Sequence, residues 1–538
     1  MKKSFLLGCL LLPFFVMGQV QDAWVYFTDK EGVAEALDNP ISILTQEALD
    51  RKALHNVSID ERDVPVNETY LADLKQSAGI SVLAKSKWLN CAYVQGTQED
   101  IDALLELDFV DGVEYADKDL NLLPAVPHKD KFLMEWTSMR IVFDYGVTAN
   151  QVQMIGADFL HQEDLTGDGM VIAVLDSGFP NVESIPAFAH LVNSGRLLGT
   201  YDFVGRQADV TGTGSHGTRT FSDMGGLLDG EFVGTAPGAA YYLFRTEFAP
   251  TEVPVEEAYW VEALERADSL GVDVVNTSLG YQDYDNPNYD HAYEDLDGQT
   301  TFSARGANIA FEKGMLLVTS AGNDGGGFTF VGTPADAPGV LTVGAVTPSG
   351  DYASFSSIGP TVDGRIKPDV MAQGVDAAVI NAQGNISFNN GTSFSSPITA
   401  GAVASLWQLR PETTNAELMQ IIRESADRFN EPTDQMGFGI PDFEVAYQAL
   451  QTLNTQEVFK QERFGIAPNP AGEWIRFSFP QGQESARLQV FNVLGELVMD
   501  HGSISAMERI DISSLPAGLY LCRVMGGGKD QTLKLIKR

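Results

Sequence analysis

The sequence predicts an α/β fold: a parallel sheet with helices on both faces, preceded by a small α+β unit and followed by a small β-sandwich. Three features carry that prediction. Uninterrupted apolar runs such as Val171-Ile172-Ala173-Val174-Leu175 have the pattern of strands covered on both faces of a parallel sheet. Such runs alternate with helical segments, notably Val255 to Leu270, as crossover connections require. Beyond residue 463 the hydrophobic period changes to two, with Ile475, Phe477 and Phe479 separated by polar neighbours, the pattern of short half-exposed strands.

The length of 538 residues exceeds what one core organises, so three to four units are expected. A formal net charge of −38 argues against a nucleic-acid partner, because phosphate binding needs clustered lysine and arginine. Lys2 and Lys3, the apolar run Phe5 to Val16 and the small residue Gly18 form a signal-peptide pattern over residues 1–18, with cleavage near Gln19. That run is too short to span a bilayer. Three cysteines, Cys9, Cys91 and Cys522, leave no pair for a disulfide within the central region.

From Gln19 onwards the pattern is mixed. Ile80 to Val94 reads as extended, Gln98 to Leu107 as a helix opened by Thr97, and Val110 to Tyr115 as a strand. This α+β unit and a connecting segment occupy residues 19–144. Their position ahead of the strand-rich region predicts a propeptide that assists folding and covers a cleft until removed; a retained accessory domain is the alternative.

The strand Met170 to Leu175 runs into Asp176-Ser177-Gly178. Functional groups of open α/β folds lie at the carboxyl ends of strands, which makes Asp176 a candidate. Of seven histidines only His216, in Thr213-Gly214-Ser215-His216-Gly217-Thr218, has small residues on both sides. His55, His128, His161, His190, His291 and His501 are expected at the surface. Further strands are expected at Val272 to Thr277, Met315 to Thr319 and Val340 to Val346. Gly391-Thr392-Ser393-Phe394-Ser395-Ser396-Pro397, followed by an Ala/Gly-rich run to Trp407, reads as a loop delivering Ser393 to the start of a buried helix, with Pro397 in its first turn. Unpaired amides and the helix dipole favour developing negative charge there. A serine hydroxyl is a weak nucleophile and needs a base and an orienting group; His216 and Asp176 are the candidates.

Taken together, Asp176-Ser177-Gly178, His216-Gly217-Thr218, Asn276-Thr277-Ser278-Leu279-Gly280, Ala321-Gly322-Asn323 and the Gly391 to Pro397 run resemble the motifs of subtilisin-like serine peptidases, in the same order. Phe355-Ser356-Ser357 and Gly364-Arg365-Ile366-Lys367-Pro368-Asp369 are further matches, and the resemblance spans Tyr145 to Leu453, within a domain set at residues 145–453. It implies a subtilisin-like sheet, with Ser393 as nucleophile, His216 as general base and acid, and Asp176 orienting the imidazole. It implies that Asn323 and the Ser393 amide hold the oxyanion. Ser278, Leu279 and Gly280 would form one wall of the primary pocket and Ala321 and Gly322 the other, with Gly332 at the floor and Asp324 beside the rim. Polypeptide substrates, the chain's own propeptide as intramolecular inhibitor, and chemistry without a cofactor follow from the same resemblance. So does a structural calcium of unknown site. Asp164 to Asp168 and the acidic insertion Asp283 to Asp297 are oxygen-rich, but neither has a full loop signature and a solvated acidic surface is favoured for both. Arg219, Thr220, Gln373 and Phe394 depart from the family pattern and bear on pocket shape rather than on a catalytic atom.

A helix from Thr414 to Arg428 and the run Gly437 to Leu450 close this domain, and Leu453 to Gln461 reads as a polar linker, set at residues 454–462. In the β-sandwich, residues 463–538, Ala467-Pro468-Asn469-Pro470, Asn492-Val493-Leu494-Gly495, Leu515-Pro516-Ala517-Gly518-Leu519-Tyr520 and Lys534-Leu535-Ile536-Lys537-Arg538 resemble the C-terminal sorting domain of the type IX secretion system of Bacteroidetes. That resemblance implies passage through the periplasm to a secreted or outer cell-surface location, with the secretion machinery as partner. The expected function is a secreted serine endopeptidase made as a zymogen. The alternative is a catalytically silent peptide-binding or adhesin protein on the same scaffold.

Overall fold

The computed structural model describes residues 19–121 and 143–460 and most of residues 464–537; the signal-peptide stretch lies outside the described residues. The chain divides into two compact units, Met1–Tyr447 and Gln448–Arg538.

Seven strands form the central sheet of the first unit, in the spatial order Val370–Gln373, Val340–Val346, Leu316–Ser320, Val274–Thr277, Val171–Asp176, Ala240–Arg245 and Leu197–Asp202. Every neighbouring pair is parallel. Alternate side chains of a strand point to opposite faces, so the apolar runs fill two cores at once. Ala173, Leu175, Val275 and Leu317 join the core beneath the helices Val255–Ser269 and Phe302–Glu312. The helix Thr392–Gln408 packs along four strands and against the helix His216–Gly225. The sheet places Asp176 inside its strand rather than just past it, and His216 opens a helix.

Ahead of this domain stands a four-stranded antiparallel sheet, ordered Ser81–Ser86, Cys91–Thr97, Val20–Phe27 and Val110–Tyr115. The run expected as extended is a hairpin, turned where Asn90 takes a positive φ of 50°. Thr97 does cap: its Oγ1 accepts from the amide of Asp100 at 3.2 Å, although the helix it opens is only Gln98–Asp102 before a tighter turn.

The sheet lies on the helices Val255–Ser269 and Phe302–Glu312. Trp24 stacks on Phe302 with ring centroids 5.0 Å apart, and Trp88 and Tyr93 share the same core. The Glu265 carboxylate accepts from Ser86 Oγ and from the amides of Lys87 and Trp88. A second anchor comes from the helix Gln46–Leu54. Its buried Lys52 lies 2.8 Å from Asp268 and 3.2 Å from Asp63, and buried Lys313 lies 2.7 Å from Asp63. Charges removed from water are tolerated when so paired.

The acidic stretch Asp283 to Asp297 is not simply a solvated surface. It closes over the last described turn of the α+β unit, where Lys118 Nζ donates to Asp295 Oδ2 at 2.6 Å and to the Asp290 carbonyl at 3.0 Å, and lies 2.9 Å from His291 Nδ1. The histidine expectation also needs correction. His55, His161 and His291 are buried, each under a neighbour distant in sequence: Trp407 for His55, Thr235 for His161 and Glu257 for His291.

In the second unit, strands Gly465–Ala467, Trp474–Ser478 and Ile510–Asp511 form one sheet, and Leu497–Ser505, Ser485–Asn492, Gly518–Gly526 and Lys529–Lys537 form another. The pairs are antiparallel. Ile475 and Phe477 from the first sheet share a core with Leu488, Val490, Val524 and Leu535 from the second, which makes the sandwich. Most of the stretch expected as a linker instead continues the helix Phe443–Lys460. It contains neither glycine nor proline, so nothing local ends the helix earlier. No described helix is long and apolar enough to cross a membrane.

Candidate active site

The site is assembled at the carboxyl ends of the central strands. Asp176, fully buried, ends the strand Val171–Asp176. His216 is the first residue of its helix, and its Nδ1 donates to Asp176 at 2.9 Å from Oδ2 and 3.0 Å from Oδ1. The close approach depends on Gly217: a Cβ there would lie 2.6 Å from the Gly178 carbonyl and 2.9 Å from Asp176 Cβ. Asp176 also accepts from the Ser177 amide at 2.7 Å and from Thr220 Oγ1 at 3.1 Å. Burial disfavours the His216 imidazolium, but the Asp176 charge and hydrogen bond more than offset this, so the pKa is raised above the ordinary histidine value; nearby Arg219 opposes the rise.

Thr220 was expected only to alter pocket shape. It stands one helical turn after His216, on the same face, and so reaches the same carboxylate. The signal was present as an i, i+4 spacing, but it becomes readable only once His216 is placed on a helix.

Ser393 is the second residue of the helix Thr392–Gln408, where its amide has no intrahelical acceptor. Gly391 precedes the helix at φ 148°, a backbone conformation that favours glycine. Pro397 sits one turn further in than expected. Its missing N–H would have bonded the carbonyl four residues back, which belongs to Ser393. Ser278 Oγ takes that place, donating to the Ser393 carbonyl at 2.8 Å, and Asn276 Nδ2 donates to Ser278 Oγ at 3.3 Å. A pocket-wall residue thus also secures the backbone beneath Ser393.

Asn323 Oδ1 accepts from the amide and hydroxyl of Thr392 at 2.9 and 3.0 Å, which turns Nδ2 towards the Gly391–Ser393 corner. His216 lies beside the same corner, its ring centroid 5.9 Å from that of Phe394. Among the described residues no hydrogen bond joins Ser393 Oγ to the imidazole. Such contacts are often long without substrate and tighten when it binds.

A pocket of about 210 Å³ opens at Ser393. Ser278, Leu279, Gly280, Ala321, Gly322, Asn323 and Gly332 all line it, together with Ser320, Gln282 and Asp324. Gln282 and Ser320 were not anticipated; Gln282 arrives because the chain turns back after Gly280 so that its side chain covers Gly332.

Several groups of the two loops considered for calcium have protein partners. In the first, the Asp164 carbonyl and Asp168 amide are bonded to the Gln408 side chain. In the second, Asp290, Asp295 and Asp297 accept from backbone amides or from Lys118. Among the described residues the carboxylates that do converge are Glu247, Glu252 and Glu256, outside both loops.

Three family models match the chain: the subtilase family over residues 167–441, the peptidase S8 propeptide domain of Bacteroidota over 22–131, and a secretion system C-terminal sorting domain over 465–538. The chain is 28% identical to serine protease AprX of Bacillus subtilis over 298 residues, which is 50% of this chain and 64% of that protein. It is 30% identical to subtilisin E of the same organism over 51% of this chain and 65% of that protein. Against the subtilisin of Bacillus pumilus it is also 30% identical, over 51% of this chain and 90% of that protein. The chain thus spans just under two thirds of the length of the first two relatives. Among solved structures, one described as MycP1 with the N-terminal propeptide removed is similar at 24% identity and a TM-score of 0.43, over 54% of this chain and 96% of that one. The sorting domain marks the protein for secretion or the cell surface. With its parallel sheet, its Asp176–His216 pair and a family match across half its length, the chain belongs to the subtilase family and carries an S8 propeptide domain and a secretion sorting domain on either side.

Proposed function

We propose that the protein is a serine endopeptidase that hydrolyses peptide bonds through an acyl-enzyme on Ser393 and is made as an inactive precursor. An extended substrate would pair its main chain with the Ser278–Gly280 segment, which recognises polypeptide without demanding one sequence. Ser393 Oγ attacks the scissile carbonyl while His216 Nε2 takes its proton, and Asp176 stabilises the imidazolium. The tetrahedral oxyanion is held by the Ser393 amide and Asn323 Nδ2. Loss of one such donor, a value measured in subtilisin itself, costs about 100- to 1000-fold in turnover. The imidazolium then protonates the leaving amine, and water repeats the cycle against the ester. These steps draw on the chain's own residues and need no cofactor.

One observation carries the reading: the hydrogen bond from His216 to a carboxylate that also accepts from Ser177 and Thr220, with the imidazole beside Phe394 in the first turn of the Ser393 helix. The docked propeptide domain supports synthesis as a zymogen, with that domain as intramolecular inhibitor.

A fluorophosphonate should label the native protein and not Ser393→Ala, and the alanine variant should accumulate with its propeptide uncut. If the native protein is neither labelled nor trimmed, the peptidase reading fails and the silent peptide-binding alternative stands.

A further inference from the structure

We propose that the pocket beside Ser393 selects a lysine or arginine side chain on the residue before the scissile bond, with Gln282 and Asp324 as its specificity-determining residues. The inference rests on the peptidase reading above and names the substrate class that reading leaves open.

The pocket's charge has one sign. No lysine, arginine or histidine lines it, and its one ionisable side chain is Asp324, exposed at the mouth. Asp283, also exposed, follows Gln282 and is near enough for its charge to act on Asp324. Burial and then the charge of Asp283 raise the Asp324 carboxyl above its usual range. An acidic side chain at the mouth with a second acting on it, and no cation in the lining, attract a cationic side chain and oppose an anionic one.

One polar side chain of the lining lies against the floor glycine. Gln282 is 8% exposed and its Nε2 has no hydrogen-bond partner, while Oε1 lies 3.3 Å from where a Cβ on Gly332 would stand. Buried polar groups are nearly always paired, and the atom turned to the pocket floor is Oε1, the acceptor of the carboxamide, where a ligand's donor can meet it. In this orientation the head accepts from an ammonium or a guanidinium without rearranging.

The walls suit the rest of such a side chain. Leu279, Ala321 and the bare backbone of Gly280 and Gly322 give apolar strips for a methylene stem. Lysine and arginine lay their stems on such surface while the charged head reaches a polar end. An aromatic ring could enter the same space, but it would bring no donor to Gln282 Oε1 and no counter-charge to Asp324. A site built around hydrogen-bonding groups discriminates against ligands that cannot use them.

The test uses the secreted protein as its own processing leaves it and five internally quenched peptides. These differ only in Lys, Arg, Phe, Gln or Glu before the cut, and the cut is located by mass spectrometry. The expected kcat/KM for Lys and Arg exceeds that for Phe and Gln by about tenfold or more and that for Glu by about a hundredfold. Asp324→Asn should reduce the Lys-to-Phe ratio about tenfold and Asp324→Glu should keep most of it, while Gln282→Leu should shift the ratio towards Phe. Phe or Gln cleaved as fast as Lys, or a ratio that neither Asp324→Asn nor Gln282→Leu moves, overturns the inference. Labelling of Ser393 without cleavage of the Lys or Arg peptide overturns it alone; absence of both labelling and cleavage removes the peptidase reading as well.

Discussion

At Asp176 the strand supplies position and the neighbours supply chemistry. Its carboxylate takes hydrogen bonds from Ser177, Thr220 and His216, and its interaction with His216 raises the pKa of the base. The ring must be unprotonated to act, and its pKa is raised, so the protonated, inactive form persists to higher pH than for an ordinary histidine. The acidic limb of kcat/KM should therefore lie above about 6.5. Asp176→Asn removes the influence that raises the pKa and leaves burial and Arg219, both of which lower it. The limb should then move to lower pH while turnover falls about 10⁴-fold. A pH–rate profile on one peptide, native against Asp176→Asn, checks both; a limb that stays in place would exclude the pairing as its cause. In the sequence Asp176 was marked by the end of a strand, His216 and Ser393 by flanking glycine and small residues, and Asn323 by the family resemblance alone. Thr220 and Gln282 were not, because their roles depend on which face of a helix or turn they occupy.

Among elements, the helix Val255–Ser269 most changes the reading of the sequence. It buries Glu256, Glu257, Glu265 and Asp268, which a sequence pattern would place in water. Two of these are covered by the propeptide: Glu265 accepts from the Ser86–Trp88 turn, and Asp268 faces Lys52 and Arg51. Removing one partner of a buried ion pair strands the other charge, at a cost of about 3–5 kcal/mol. Lys52→Met should therefore weaken docking of the propeptide. The measurable outcome is faster loss of the propeptide from a Ser393→Ala precursor under limited proteolysis; unchanged protection would show that Lys52 contributes nothing to the anchor. The acidic insertion belongs to the same scale. As a run of charges it reads as solvated, yet it is folded by Lys118 and by His291 bound to Glu257, partners far along the chain.

Over the whole molecule, three family domains are strung along one chain in two compact units, and a buried histidine in the larger predicts acid sensitivity. His161 is buried in it, with Nε2 on the Thr235 carbonyl and Nδ1 on the Tyr145 hydroxyl, and burial pushes its pKa down to about 4. A folded-state pKa below the unfolded value of about 6.5 means that the unfolded chain binds the proton more readily. Stability from this group is complete above pH ~6.5 and is lost as pH falls towards 4, by about 3 kcal/mol. Denaturant midpoints between pH 7 and 4 should show that loss, and His161→Gln should flatten it; an unchanged slope would exclude His161 as the source. The sequence by itself determined the alternation of strands and helices, the order of the units and the residues around which backbones crowd, because periodicity and glycine placement are local properties. Tertiary structure alone decided that the Ser393 carbonyl is held by Ser278, that the acidic helix is buried under the propeptide, and that Gln282 covers the pocket floor. Each of those depends on distant segments excluding water from a polar group and then supplying its partner, which no local pattern encodes.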